Sequence, residues 1–380
     1  MCISVVLLAQ VSCTHTGTVK MWLTSFDDMQ VTKMVEEAKE GFAAGCRPNA
    51  PREGMGGTYF LSDASGSHVG IFKPCDEEPL APNNPKGWNS RSMSDPGMKP
   101  SVRVGEAALR EVAAFLLDHD GFASVPAACL VAVSHDSLNY AAQPESNSSA
   151  ACEAPSTSPI AASPLGGESE ATTSSEVSSH SPVANPADSR LTAPAVPGGV
   201  KLGSLQAFAE HTCDANDIAS SRFSADSIHR VGILDVRLLN LDRHAGNLLV
   251  AEAPRGGSGA GGPAPLHKLV PIDHGFALPE ALDDPYFEWQ YWPQASVPFS
   301  AEVKAYVEAL DGPADVAMLQ RELPALRPEC LRCLLVTTTV CCLCCLTSTP
   351  DMPFVPSIDV ANVHSLLRCV QCCCALPGVA

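Results

Sequence analysis

The sequence predicts an α+β fold made of two lobes, with a disordered insertion between them. On each side of residues 141–200, β-favouring runs and helical patterns alternate, and neither side looks complete alone. Residues 141–200 contain thirteen serines, eight prolines and no aromatic residue, so they cannot bury enough apolar surface to offset the entropy of ordering. We therefore expect five segments: an N-terminal extension (1–50), an N-lobe (51–140), the Ser/Pro/Ala-rich insertion (141–200), a hinge and C-lobe (201–335) and a divergent cysteine-rich tail (336–380).

The charge balance restricts the partners of this chain. Its 24 Lys and Arg residues face 42 Asp and Glu residues, a net charge of −18. Binding to nucleic acid is not expected, because it requires a clustered basic surface. Anionic membranes would also repel the chain on average, so any lipid contact must be local and partly apolar.

The cysteines are distributed unevenly, since ten of the 17 lie between Cys330 and Cys374. This placement and the odd total favour reduced thiols in a cytoplasmic protein. The N-terminal run "CISVVLLAQV" has no basic flank and is interpreted as a strand or an irregular terminus, with a signal peptide as the alternative. No run reaches the roughly 18 to 20 apolar residues that a membrane-spanning helix requires.

The N-lobe begins with a glycine-rich hairpin. The stretch "EGMGGTYFLSDASGSHVGIFKP" places Gly54, Gly56 and Gly57 before two β-favouring runs that flank a turn and end at Lys73. Glycines at this position allow the backbone to approach an anion closely, and Lys73 could meet the same phosphates. A plain glycine turn beside a solvated lysine is the alternative.

A helix follows, with Ser101 as the expected cap of "VRVGEAALREVAAFLLD". Glu106 and Arg110, four residues apart, are expected to form a solvated pair. Glu111 lies at the border of the apolar face, where a carboxylate requires a cation or water. Lys73 is the candidate cation.

The C-lobe supplies three oxygen donors. Apolar spacing over Ile228–Leu241 predicts a helix that leads into "NLDRHAGNLLV", the loop that carries Asp242 and Asn247. The strand "NLLVAEA" follows, and a second strand in "HKLVPIDHGFAL" ends at Asp273. Neighbouring strands would bring the three side chains together.

This set of residues suits phosphoryl transfer, in which the protein positions groups and neutralises charge. Asp242 would accept the proton of an attacking hydroxyl, and Asn247 and Asp273 would bind Mg²⁺ that a nucleotide carries. Arg243 would fix the loop or meet a phosphate. His244 is as easily a structural hydrogen-bonding group as a participant.

The chain resembles the phosphatidylinositol 3-/4-kinase superfamily, and most closely the plant and algal gamma-type phosphatidylinositol 4-kinases. The stretches that carry the resemblance include "GGTYFL", "DEEPLAPNNPKG", "SVRVGEAALREVAAFLLD", "HRVGILDVRLLNLDRHAGNLLV", "PIDHG" and "DPYFEWQYWPQASVPFS", and it fades past about Val336. The resemblance implies a protein-kinase-like fold that binds ATP and Mg²⁺ between its lobes and phosphorylates the inositol 4-hydroxyl of phosphatidylinositol.

The resemblance also implies roles for individual residues. The nucleotide loop would be Gly54, Gly56, Gly57 and Thr58, Lys73 would contact phosphates with Glu111 as its partner, and "SLQAFAEH" resembles the hinge. Asp242 through Val250 would be the catalytic loop, in which Asp242, Arg243 and Asn247 act together with Asp273. Backbone groups would meet adenine at Gln206, Ala207, Phe208 and Ala209.

Two other functions stay open at this point: a protein Ser/Thr kinase with the same active site, and an inactive nucleotide-binding scaffold. The partner would be phosphatidylinositol or a protein substrate, and the expected location is the cytoplasm or the membrane periphery. The sequence does not determine the oligomeric state.

Two further features have alternative interpretations. The "CCLCC" run at 341–345 would be acylated, bind a metal or simply hold buried thiols. An aromatic group would lie at headgroup level beside the active site or pack in the C-lobe core. Its members are Tyr286, Phe287, Trp289, Tyr291 and Trp292.

Overall fold

A computed structural model describes residues 28–140, 199–251 and 266–347, and also the backbones of the strands at 7–11 and 19–23. Side chains are described from residue 28 to residue 343 within these ranges. The predicted disordered insertion lies outside the described residues except for its last two positions.

The N-lobe is built on a six-stranded sheet in which all neighbouring strands are antiparallel. The strand order is β1-β2-β5-β6-β4-β3. The predicted hairpin is confirmed as β3 and β4, with Phe60 opposite Ile71. The strands are β1 Leu7–Val11, β2 Val19–Leu23, β3 Tyr59–Ser62, β4 His68–Pro74, β5 Ala128–Val133 and β6 Lys201–Ala207.

The first 50 residues, predicted as an extension, contribute to this lobe. They supply β1, which confirms the strand predicted there, β2, and the helix α1 (Met29–Ala43). Asp28 caps α1 by accepting hydrogen bonds from the backbone N–H groups of Gln30 and Val31. The apolar side of α1, which includes Val31 and Phe42, packs in one core with the hairpin. The N-lobe therefore starts well before residue 51.

The helix α2 (Ala107–Leu117) begins later than predicted. Gly105 has a φ of +86°, which a right-handed helix cannot contain, and a Cβ at this position would overlap the side chain of Met93. Ser101 therefore does not cap the helix. Its hydroxyl instead donates a hydrogen bond to Asp283 of the C-lobe at 2.8 Å.

The Glu106–Arg110 pair is buried, whereas the sequence predicted a solvated pair. Arg110 has no exposed surface and lies 3.2 Å from Glu106, whose other oxygen accepts a hydrogen bond from Arg327 at 2.6 Å. The prediction was wrong because α2 packs on the N-lobe sheet on one side and on C-lobe residues such as Leu334 on the other, which leaves no solvated face.

Within the part of the chain that the structure describes, the C-lobe combines a three-stranded sheet with four α-helices. The predicted helix before the polar loop is confirmed as α3, which Ser224 caps at its start and which is followed by Leu239 in a left-handed conformation. The two predicted strands pair antiparallel as β8 and β9. The elements are β7 Cys213–Asp214, β8 Leu248–Val250, β9 Leu269–Pro271, α3 Ala225–Leu238, α4 Ala301–Glu308, α5 Gly312–Glu322 and α6 Pro328–Thr347.

The last helix, α6, crosses the boundary predicted at 335/336. Val340 and Cys341 are buried, and the Thr337 hydroxyl donates a hydrogen bond to the carbonyl of Arg237 at 2.6 Å. The C-lobe therefore continues to at least residue 341. Burial of Cys341 matches the buried-thiol interpretation, whereas the side chains of Cys344 and Cys345 lie outside the described residues.

Two further predictions concern membranes and thiols. Among the residues that the structure describes, no helix is both long and apolar enough to cross a bilayer. The cysteines with described side chains form no disulfide.

Candidate active site

A cavity of about 430 Å³ lies between the two lobes. The N-lobe contributes the glycine loop, the end of β4 and the first half of α2, whereas the C-lobe contributes the loop after α3 and the residues after β9. The cavity brings together most of the predicted site residues, namely Gly54, Gly56, Gly57, Thr58, Lys73, Glu111, Asp242, Asn247 and Asp273.

Lys73 lies at the centre of this group. Its ammonium is 2.9 Å from Glu111 on α2 and 3.2 Å from Asp273 of the C-lobe, so the contact expected between Lys73 and Glu111 is present. Burial alone would lower the pKa of Lys73, but the charges of Asp273 and Glu111 hold it well above its usual value. Lys73 therefore stays cationic at any physiological pH.

Glu111 connects the two lobes through both carboxylate oxygens. One oxygen binds Lys73, and the other accepts a hydrogen bond from the backbone N–H of His274 at 2.9 Å. Burial alone would raise the pKa of Glu111, but Lys73 and His274 hold it well below the usual range. A buried carboxylate with these partners stays ionised.

The polar loop after α3 presents Asp242 and Asn247 to the cavity. The Asp242 backbone N–H donates to Asn240 Oδ1 at 3.1 Å, and Asn247 Nδ2 donates to the carbonyl of Asp242 at 3.0 Å. Because the Asn247 nitrogen is used inside the loop, its oxygen is available as an acceptor or ligand. His244, undecided from the sequence, also lines the cavity.

Arg243, predicted to act in the catalytic loop, does not line the cavity. It is fully buried, its Nε lies 3.0 Å from Asp235, and its Nη1 donates to the carbonyls of Asn247 and Ile272 at 2.6 Å. These contacts join the polar loop after α3 to the end of β9. Of the two roles that the sequence allowed, Arg243 has the loop-fixing one.

Glu77 packs against the glycine loop at Gly57. The Gly57 N–H donates to the Glu77 carbonyl at 2.9 Å, and a Cβ on Gly57 would overlap the Glu77 side chain. Glu77 is itself buried, 2.7 Å from Lys201 and 2.8 Å from the Tyr59 hydroxyl. Gly57 is therefore required for close packing.

The four predicted hinge residues do not line this cavity, although Ser204, three residues before Ala207 on β6, does. The N–H groups of Ala207 and Phe208 donate to the carbonyls of Ala127 and Val69. Gln206 is buried, and its side chain donates to the Ser204 hydroxyl at 3.3 Å. The contact of Gln206, Ala207, Phe208 and Ala209 with adenine thus stays a prediction.

Glu78 is a site residue that sequence reasoning missed. It lines the cavity and accepts hydrogen bonds from the backbone N–H groups of Gly105 and Ala107 at 2.7 and 3.0 Å, which anchors the start of α2. Burial raises the pKa of Glu78 to about 8, although both hydrogen bonds act in the opposite direction. The only available signal was an acidic run, "DEE", which did not show which carboxylate turns inward.

The predicted aromatic group divides between the core and the surface. Phe287 and Trp289 are buried, and Trp289 Nε1 donates to Asp235 at 2.9 Å. Tyr286 and Tyr291 are 45% and 72% exposed. The prediction that the aromatic group packs in the C-lobe core is therefore confirmed for Phe287 and Trp289.

No group of three or more His, Cys, Asp and Glu side chains within the described ranges is arranged to hold a metal. Asn247 and Asp273 offer the cavity one amide and one carboxylate oxygen from the C-lobe. Oxygen donors of this kind suit a hard divalent cation.

Comparison with known proteins identifies the family. The family model for phosphatidylinositol 3- and 4-kinases matches residues 54–343, which extends past the residue where the resemblance was expected to fade. Phosphatidylinositol 4-kinase gamma 6 of Arabidopsis thaliana is 44% identical over 294 residues, which are 77% of this chain and 40% of that protein.

Two further relatives give a similar result. Phosphatidylinositol 4-kinase gamma 7 of Arabidopsis thaliana is 40% identical over 308 residues, 81% of this chain and 40% of that protein. Phosphatidylinositol 4-kinase gamma 4 of Oryza sativa subsp. japonica is 36% identical over 319 residues, 81% of this chain and 44% of that protein. The chain spans less than half the length of these relatives.

Proposed function

Because this chain belongs to the phosphatidylinositol 3- and 4-kinase family, we propose that it transfers the γ-phosphate of ATP to the inositol 4-hydroxyl of phosphatidylinositol. The product is phosphatidylinositol 4-phosphate. The observation that carries the proposal is the position of Lys73, 2.9 Å from Glu111 of the N-lobe and 3.2 Å from Asp273 of the C-lobe at one cavity. A lysine held in this way offers a fixed positive charge to nucleotide phosphates.

The nucleotide binds through residues of both lobes. Backbone groups of the glycine loop, Gly54–Thr58, face the phosphates together with Lys73. Asn247 and Asp273 would hold the Mg²⁺ that accompanies ATP, and the ion would supply positive charge to neutralise the phosphates. The hydrogen bond from Asn247 Nδ2 to the Asp242 carbonyl supports this role, because it directs the amide oxygen away from the loop backbone.

Asp242 acts as the proton acceptor for the attacking hydroxyl. Its carboxylate lines the cavity, and its backbone is held on both sides by Asn240 and Asn247. A carboxylate on a rigid loop positions the hydroxyl for attack without forming a covalent intermediate. The Lys99 ammonium lies 4.0 Å from an Asp242 carboxylate oxygen.

The decisive experiment supplies labelled ATP and Mg²⁺ with either phosphatidylinositol micelles or a protein mixture. We expect label in a lipid that thin-layer chromatography identifies as phosphatidylinositol 4-phosphate. Asp242→Asn should abolish transfer and still bind ATP, whereas Asp136→Asn, which changes an exposed carboxylate, should retain transfer.

Two results would overturn the proposal. Label in protein alone would identify a protein kinase, and ATP binding with no label in either acceptor would identify an inactive scaffold. Turnover by Asp242→Asn at the rate of the unchanged chain would remove Asp242 from the mechanism.

The proposed location is the cytoplasm or the membrane periphery. Unpaired thiols at buried positions such as Cys129 and Cys330 fit a reducing compartment. Fractionation of cells that produce the tagged chain tests the location, and recovery from a secreted fraction would contradict it.

A further inference from the structure

The segment between β4 and α2 forms an ordered surface with exposed apolar side chains. Backbone hydrogen bonds from Arg91 to Leu80 and from Ser94 to Val104, at 3.0 and 2.9 Å, hold it in place. Residues 87–94 are nevertheless all exposed. Among them, Trp88 is 51% exposed and Met93 is 40% exposed.

Two more exposed methionines lie at the cavity itself. Met55 of the glycine loop and Met98 are 37% and 45% exposed, and both line the cavity between the lobes. Met98 lies in the same segment, and the Asn84 side chain joins Met55 to it, because its Nδ2 donates to the Met55 carbonyl at 2.9 Å and its Oδ1 accepts from the Trp88 N–H at 3.1 Å. We call Met55, Trp88, Met93 and Met98 the lip.

The segment that carries most of the lip has more cations than acids. Residues 86–103 contain Lys86, Arg91, Lys99 and Arg103 but only one acid, Asp95, in a chain of net charge −18. Arg103 is paired with Glu280, and Lys99 lies 4.0 Å from Asp242. Arg91 is exposed next to Trp88 and Met93 in the sequence. Apolar and aromatic side chains flanked by cations suit an anionic bilayer, because the rings and thioethers enter the interface while the cations meet lipid phosphates.

We propose that the lip docks the chain on an anionic lipid bilayer and directs the cavity towards the membrane. This inference rests on the proposed function, since a membrane lipid would have to bring its headgroup to Asp242 while its acyl chains stay in the bilayer. Lys99, 4.0 Å from Asp242 and next to Met98, connects the lip to the proton acceptor. The overall negative charge confines the contact to this local surface.

The test measures binding to vesicles without ATP. Vesicles of phosphatidylcholine with phosphatidylserine and phosphatidylinositol are sedimented with the unchanged chain, with Trp88→Ser/Met93→Ser, and with the control Met29→Ser/Leu266→Ser. The control removes two apolar side chains outside the lip, at residues that are 86% and 49% exposed. We expect the lip variant to bind at least roughly tenfold more weakly, because it loses apolar area that would enter the interface, and the control to bind as the unchanged chain does.

A second variant tests the charge separately. Arg91→Gln should weaken binding to vesicles that contain phosphatidylserine by about fivefold and leave binding to neutral vesicles unchanged. All variants should keep the melting temperature of the unchanged chain and its activity on a water-soluble, short-chain phosphatidylinositol, because none alters a cavity residue.

Equal binding of the lip variant and the control would overturn the inference, as would failure of the unchanged chain to bind any vesicle. Unchanged vesicle binding with a loss of protein phosphorylation in the lip variant would assign the surface to a protein partner instead. Lip-dependent vesicle binding without phosphorylation of any lipid would support the docking surface and reject the proposed function. The two failures are therefore distinguishable.

Discussion

Lys73 provides the positive charge on which the cavity depends, and its two carboxylate partners come from different lobes. The Glu111 contact sets the direction of the side chain, whereas Asp273 is 56% exposed and can turn towards a metal. Lys73 on the hairpin and Glu111 on the helix were recognisable from the sequence. The two side chains meet because α2 packs beside the N-lobe sheet.

Glu111→Gln should reduce kcat/KM for ATP by roughly a hundredfold, the scale found when one preorganised electrostatic contact is removed. The amide keeps the size of the side chain but removes the charge that holds Lys73. Steady-state kinetics at varied ATP concentration measures the effect. Glu40→Gln, which changes an exposed residue of α1, is the control and should leave the constant unchanged.

The raised pKa of Glu78 leads us to expect that the stability of the folded chain depends on pH. This pKa is about 8 in the folded chain and 4.5 for an ordinary glutamate. Unfolding at a pH between 4.5 and about 8 therefore releases a proton from Glu78. Stability therefore decreases as the pH rises through this window. Glu78→Gln should flatten that part of the curve in denaturant titrations at several pH values, and an unchanged slope would contradict the assignment.

At the scale of elements, the structure places two lobe boundaries differently from the prediction, which put them at 50/51 and 335/336. The reason is that α1 and α6 bury side chains in the cores of the two lobes. Helix α1 has apolar residues at helical spacing, including Val31, Met34, Val35 and Ala38, and these complete the N-lobe core. Helix α6 continues into a cysteine-rich stretch whose composition looked foreign to a C-lobe. Its side chains, including that of Cys341, nevertheless fill the same core as α2 and α3.

Truncation tests the C-lobe boundary. A chain that ends at residue 335 loses the buried side chains of Thr337, Val340 and Cys341, so we expect a large loss of stability or no folded protein. A chain that ends at residue 347 keeps α6 and should melt close to the full chain. Differential scanning fluorimetry compares the two, and equal melting temperatures would restore the predicted boundary.

At the scale of the whole molecule, polar contacts connect the lobes around the cavity. Arg103 from the segment before α2 binds Glu280 of the C-lobe through Nε at 2.9 Å and Nη2 at 2.6 Å. Ser101 binds Asp283 in the same region. These contacts hold the segment that carries the lip against both lobes.

A double-mutant cycle of Arg103→Gln and Glu280→Gln measures this connection. We expect a coupling free energy of about 1 kcal/mol, because the pair is bidentate but partly exposed to solvent. Denaturant unfolding of the four proteins provides the values. A coupling free energy near zero would show that the contact does not stabilise the folded chain.

The amino-acid sequence by itself determined the kinds of groups at the site, the hairpin, the helix before the catalytic loop and the paired strands after it. Glycine spacing, strand alternation and helical periodicity act over a few residues, so they are visible without a fold. Only the tertiary structure decided that Arg243 is a buried clamp, that Glu106 and Arg110 are desolvated, that Glu78 faces α2 and that Trp88 and Met93 stay exposed. The environment of a charge or an apolar ring depends on what packs against it, and those neighbours come from distant parts of the chain.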